Sequence, residues 1–196
     1  MKKYIPLSCF LFTLTFCSCS NNDTPIPTPF VYSEENPFPT FQQESGYSET
    51  TNYIDDNNYY EIGFSFRPTA KGKINALVVN IPDVHSNIRV TIWDKSDAIA
   101  IRTEVVDVAV ANTNNVIPIA PLSLDKDKEY LISMNTDDYY LLSNPQYQVA
   151  EYPIVAGNIT VTGSRIIMSN SGQTMPDTDI VNVAFGICSF KFERTE

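Results

Sequence analysis

Beyond residue 19 this chain of 196 residues holds a single cysteine, Cys188, so its body cannot close a disulfide on itself. The thiol sits in the apolar run from Val183 to Phe192 and reads as core. Histidine is equally scarce: His85 is the only one. A catalytic triad needs a nucleophile and an orienting carboxylate placed around such a residue, and nothing in the order of the chain frames one. One histidine and one thiol also argue against a structural zinc site. With 7 glycines in all, no glycine-rich loop is present to cradle a phosphate. Basic charge is short too. Thirteen Lys and Arg face 23 Asp and Glu, a net charge of −10. Bulk electrostatics therefore give the chain no hold on a phosphate backbone, and nucleic acid is not an expected partner.

One uncharged, mostly apolar stretch runs from Ile5 to Phe16, behind the positive pair Lys2 and Lys3. It is too short to cross a bilayer stably and long enough for a secretion signal. It runs into Phe16-Cys17-Ser18-Cys19, which resembles the lipobox of bacterial lipoproteins. There the cysteine is acylated and becomes the first residue of the mature chain. Cys19 is the expected acceptor, since small Ser18 precedes it whereas bulky Phe16 precedes Cys17. The rival reading is an ordinary cleaved signal with an incidental cysteine. Several acyl chains would anchor the protein durably, each buried methylene adding about 0.8 kcal/mol. Ser20 rather than Asp follows the acceptor, which by the same resemblance points to the outer membrane. Asn21-Asn22-Asp23 resembles the short polar export tags of Bacteroides-type bacteria and is compatible with surface display. The lipid anchor is then the only membrane contact.

The expected organisation is a signal peptide at 1–18, a lipidated cysteine with a proline-rich linker at 19–47, and a domain at 48–196. Pro25, Pro27, Pro29, Pro37 and Pro39 resist regular structure and suit a semi-rigid spacer. In the domain the apolar period is two. Ile62, Phe64 and Phe66 alternate with Glu61, Gly63 and Ser65, and Ile88, Val90 and Ile92 with Asn87, Arg89 and Thr91. Tyr130, Ile132 and Met134 repeat the pattern, as do Val181, Val183 and Phe185. Such runs place one face on a core and the polar face in water. Turn-forming clusters at Pro68 to Gly72, Pro82-Asp83, Asp94 to Asp97, Asn112 to Asn115 and Gly157-Asn158 separate them. About nine or ten short strands with this spacing predict an all-β fold, a two-sheet antiparallel β-sandwich that is jelly-roll-like. The stretch from Ala98 to Val110 has some helical periodicity, but its β-branched residues favour a strand bulged near Val105-Val106.

Five segments follow one another in an order that resembles a known family. They are Ile62-Gly63-Phe64-Ser65-Phe66-Arg67-Pro68, Gly72-Lys73-Ile74, Val90-Thr91-Ile92-Trp93-Asp94, Leu122-Ser123-Leu124 and Lys128-Glu129-Tyr130. Pro176 and the strand from Val181 to Phe185 complete the pattern. It resembles an uncharacterised bacterial extracellular β-sandwich module, a domain of unknown function found beside carbohydrate-active and adhesive domains. The sequence departs from it at Asp127-Lys128, where the family has a glycine, and after Trp93-Asp94, where no glycine follows closely. The resemblance implies a jelly-roll-like sandwich in a glycan-rich setting and supplies no catalytic residues.

Two kinds of residue remain as candidates. Asp55, Asp56, Asp137 and Asp138 lie on turns and offer hard oxygen ligands, as a structural calcium requires. None belongs to an EF-hand loop, and acidic turns are common without metal. Trp93 and the pairs Tyr59-Tyr60 and Tyr139-Tyr140 offer aromatic surface for a sugar ring, with Asp and Asn nearby for its hydroxyls. The plainer alternative is that Trp93 seals a sheet and one tyrosine of each pair points inward, leaving its neighbour outward. The sequence thus points to a non-catalytic envelope lipoprotein that binds glycan or another extracellular ligand. Its rivals are an assembly subunit whose partner is an envelope protein, and a polysaccharide-active enzyme with two facing carboxylates.

Overall fold

The computed structural model describes residues 31–54 and 57–196. Cys19 and the signal segment lie outside the described residues, as do Asp55 and Asp56. Residues 31–196 form one unit with its own core. Its elements, in chain order, are α1 (Phe38–Glu44), β1 (Glu49–Ile54), β2 (Tyr60–Pro68), β3 (Gly72–Asn80), β4 (His85–Asp94), β5 (Ile99–Val108) and β6 (Asn115–Leu124). They continue with β7 (Tyr130–Thr136), β8 (Asp138–Ser143), β9 (Ile154–Ala156), β10 (Ile159–Met168), β11 (Thr178–Ile180), β12 (Val183–Phe185) and β13 (Ile187–Arg194).

The fold is an all-β antiparallel sandwich, as the period of two predicts. One layer is a large sheet in the order β11-β10-β2-β7-β4-β5, with β9 also pairing β10. The opposite layer divides into two three-stranded sheets, β13-β3-β6 and β1-β8-β12, where the sequence had suggested one. The division falls at Gly186, which separates β12 from β13 at φ 71. A Cβ there would come within 2.6 Å of Met134 and 2.7 Å of Ile62, so the chain can bend against the large sheet only where no side chain intrudes. The layers also exchange a strand, because β7 of the large sheet and β8 of the small one are joined by Asp137 alone.

The alternating apolar residues meet between the layers. Ile62, Phe64, Phe66, Ile88, Val90, Ile92, Ile132 and Met134 from the large sheet pack with Leu77, Val79, Phe190 and Phe192 from the facing one. Phe66 and Phe190 stand 4.7 Å apart between ring centroids. Cys188 is buried among them, and burial pushes its thiol well up from its ordinary value.

Three sequence expectations change. The last part of the supposed spacer belongs to the domain. Pro37 caps α1, where a proline costs little, and Phe38, Phe41 and Tyr47 are buried in the core. Glu35 adds a reciprocal pair of backbone bonds to Phe192, both 2.8 Å. The domain therefore takes in residues ahead of 48. Second, the bulges between β4 and β5 lie at Asn87, where φ is 60, and at Ile101, with regular pairing at Val105-Val106. Third, the polar face of the large sheet is not left in water. Glu61, Ser65, Thr91 and Ser133 are all fully buried there.

Candidate functional site

β1 runs antiparallel to β8 in a register that sets Tyr53 opposite Tyr139 and Ile54 opposite Asp138. β1 is an edge strand, exposed along its whole length, so Tyr53 keeps 44% of its surface in solvent. Its ring stacks on Tyr139, with centroids 5.0 Å apart and planes 28° from parallel. Tyr139 is in turn braced edge-on by Tyr60 at 5.9 Å and by Phe185 at 6.0 Å. Buried Tyr139, braced by half-buried Tyr60 and Phe185, thus supports one exposed tyrosine.

The single-residue link between β7 and β8 brings polar groups to the same end. Thr136 Oγ1 donates to Asp138 O at 2.9 Å and accepts from Asp138 N at 3.1 Å, closing the turn. Asp137 then faces His85, with Oδ1 3.4 Å from Nε2. Asp137 also lies beside Tyr59, and its negative charge raises the Tyr59 phenol above its ordinary value. Tyr59 is 38% exposed. Asp138 turns the other way, accepting from Asp83 N at 2.8 Å, and burial raises its carboxyl. Tyr140 donates to Asn112 Oδ1 at 2.6 Å.

The candidate aromatics therefore separate. Tyr59 is exposed and Tyr60 half-buried, but Tyr139 and Tyr140 are both buried because β8 is covered on each face. That corrects the expectation that one tyrosine of each pair would be outward. Trp93 is buried as well, on the outer face of the large sheet, and donates from Nε1 to Ser133 Oγ at 3.0 Å. None of these three presents a ring to a sugar. Tyr53, which the sequence did not single out, takes their place. Its signal was its position one strand before the Tyr59-Tyr60 pair, at the end of a polar run. Asp137 and Asp138 do not converge on a common point: Asp137 faces His85 and Asp138 accepts from Asp83 N. Among the described residues, no group of three or more His, Cys, Asp or Glu is placed to hold a metal ion.

A second polar cluster explains where Trp93 sits. Glu61 accepts from Arg89 at 2.6 Å and from Ser133 at 2.7 Å, so one carboxylate joins three strands of the large sheet. The segment after β10 crosses above it. Arg89 donates to Gly172 O, Gln173 donates to Thr91 at 2.8 Å and to Thr103 at 2.7 Å, and Asn135 donates to Ser169 O at 3.2 Å. Further along, Arg165 pairs with Asp179. This crossing buries the polar face without leaving its charges unpaired. The cluster is part of the scaffold and offers no open approach.

No family model matches this chain, and no curated protein is significantly similar to it.

Proposed function

We propose that this chain is a non-catalytic cell-envelope lipoprotein, anchored through Cys19 to the outer membrane and displayed at the cell surface, where it binds glycan. The observation that carries the reading is the exposed Tyr53 ring, stacked on buried Tyr139 at the end of the sandwich that also presents Tyr59, Asp137 and His85. A tyrosine held this way offers an apolar face at small entropic cost, because its partner already fixes the ring. Carboxylate, imidazole and phenol alongside suit the hydroxyls around a sugar ring. The acidic charge supports a neutral ligand over a polyanion. The resemblance to modules found beside carbohydrate-active domains, and the lipobox pattern ahead of the domain, support the same setting.

The test is a screen of residues 31–196 against immobilised glycans, run once with calcium and once with chelator. Specific binding to a glycan class is expected. Chelator sensitivity would show that a bound metal ion supports binding, and indifference would remove the structural calcium expected at Asp55, Asp56, Asp137 and Asp138. Silence in both arms counts against the reading. A second reading, an assembly subunit of an envelope or adhesive complex, is favoured by one feature, the unpaired edge of β5.

A further inference from the structure

We propose that the free edge of β5 joins two copies of this chain, their large sheets meeting antiparallel and in register about Thr103. Edge strands invite pairing, and proteins normally blunt them. Among the described strands, β6 ends its sheet with Pro118 and Pro121, which have no N–H to give. β13 has its outer side bridged by Glu35, while β9 and β11 are three residues long. β1 is six residues long. β5 differs from all of these. It has ten residues and no proline, and it pairs only with β4. Its outward residues include Ile99, 57% exposed, and Val105, 63% exposed.

The order of side chains along β5 is self-complementary. A two-fold axis at Thr103 sets Arg102 against Glu104 of the second copy and Glu104 against its Arg102. On the other face, Ile101 meets Val105 and Thr103 meets Thr103. Opposite charges, β-branched pairs and paired threonines directly across two strands are each favourable. Within one copy Arg102 and Glu104 already touch at 3.2 Å and both are half-buried, so their side chains share one face and are held near the required position. The same two charges disfavour the neighbouring alignments. Centring the pair on Arg102 or on Glu104 sets like charge on like, and so does parallel pairing. Inward charges and the bulge at Ile101 are devices that protect an edge from indiscriminate pairing. Here the charge order favours the strand of a second copy, through an isologous contact that closes at two.

The experiment uses residues 31–196, which contain the whole described core. Sedimentation should show a monomer–dimer equilibrium that shifts with concentration. Arg102→Glu should weaken the dimer by about ten-fold or more, since two like-charged pairs replace two opposite ones. The double exchange Arg102→Glu with Glu104→Arg restores the mirrored order and should restore the dimer. That rescue separates the contact from a folding defect. Thr103→Cys places two thiols on the axis at a spacing a disulfide can span, about 4.5–5.5 Å between Cα atoms. It should cross-link under oxidised glutathione. Val105→Cys should not, its copies being about 13 Å apart along the strands. Buried Cys188 gives a silent background. A monomer at every concentration with no cross-link at Thr103 overturns the proposal, leaving the edge unused or reserved for another protein. So does a dimer indifferent to Arg102→Glu, which would lie elsewhere.

Discussion

Trp93 donates its indole N–H to Ser133 Oγ at 3.0 Å, on the covered outer face of the large sheet. Ser133 passes the bond on to Glu61 at 2.7 Å, so the tryptophan is tied to a buried carboxylate and is unavailable to a ligand. Phenylalanine at this position removes the N–H and leaves a small void. Trp93→Phe is expected to lower stability by about 1–3 kcal/mol and to leave glycan affinity unchanged. Denaturant unfolding beside a binding titration checks both. A loss of affinity without a loss of stability would return Trp93 to the binding surface.

Glu61 makes the same cluster sensitive to pH. Burial is the largest influence on its carboxyl and raises it above the ordinary 4.5, against hydrogen bonds from Arg89 and Ser133 that lower it. The folded state therefore holds this proton more tightly than the unfolded state. The stability so contributed is complete below the unfolded value and is lost as pH rises through the folded one. Glu61→Gln stays neutral throughout. The melting temperature of the variant minus that of the parent is thus expected to rise from about pH 4.5 toward neutrality. A difference that falls over that range would mean the ion pair with Arg89 outweighs burial.

Phe41 ties the segment before β1 to the core. It is 1% exposed, meets Tyr47 edge-on at 6.2 Å and lies 5.8 Å from Phe64. Phe41→Ala is expected to destabilise the domain by about 3–5 kcal/mol, the usual range for emptying a buried aromatic site. A fragment beginning at residue 48 should melt well below one beginning at 31, because it also loses the bridge from Glu35 to Phe192. Equal melting temperatures would show that α1 only rests on the surface.

The layers of the sandwich were legible because Ile62, Phe64 and Phe66 alternate strictly, and this run, like those of Ile88 to Ile92 and Tyr130 to Met134, did turn its apolar side to the core, whereas Val181 is exposed. What periodicity cannot reveal is the fate of the other side. Glu61, Thr91 and Ser133 look like a wet face locally, and only the crossing of residues 169–177, more than thirty positions downstream of Ser133, covers them. Tyr140 was hidden from sequence for the same reason, since its partner Asn112 comes from a distant loop. Pro37 and Pro39 read as spacer by composition, yet a proline at the first helical turn permits the helix that carries Phe38 and Phe41 inward. Tyr53 stands out as a candidate binding residue only through the register that lays it on Tyr139.

The central claim rests on that exposed ring. Tyr53 contributes little to the core, so Tyr53→Ala should cost no more than about 1 kcal/mol of stability. The decisive measurement is calorimetric titration of a glycan identified by the screen into the parent domain and into Tyr53→Ala. The account predicts a loss of affinity of about ten-fold or more in the variant, with its melting temperature nearly preserved. Undiminished affinity in a folded Tyr53→Ala domain would contradict it and place the glycan on another surface.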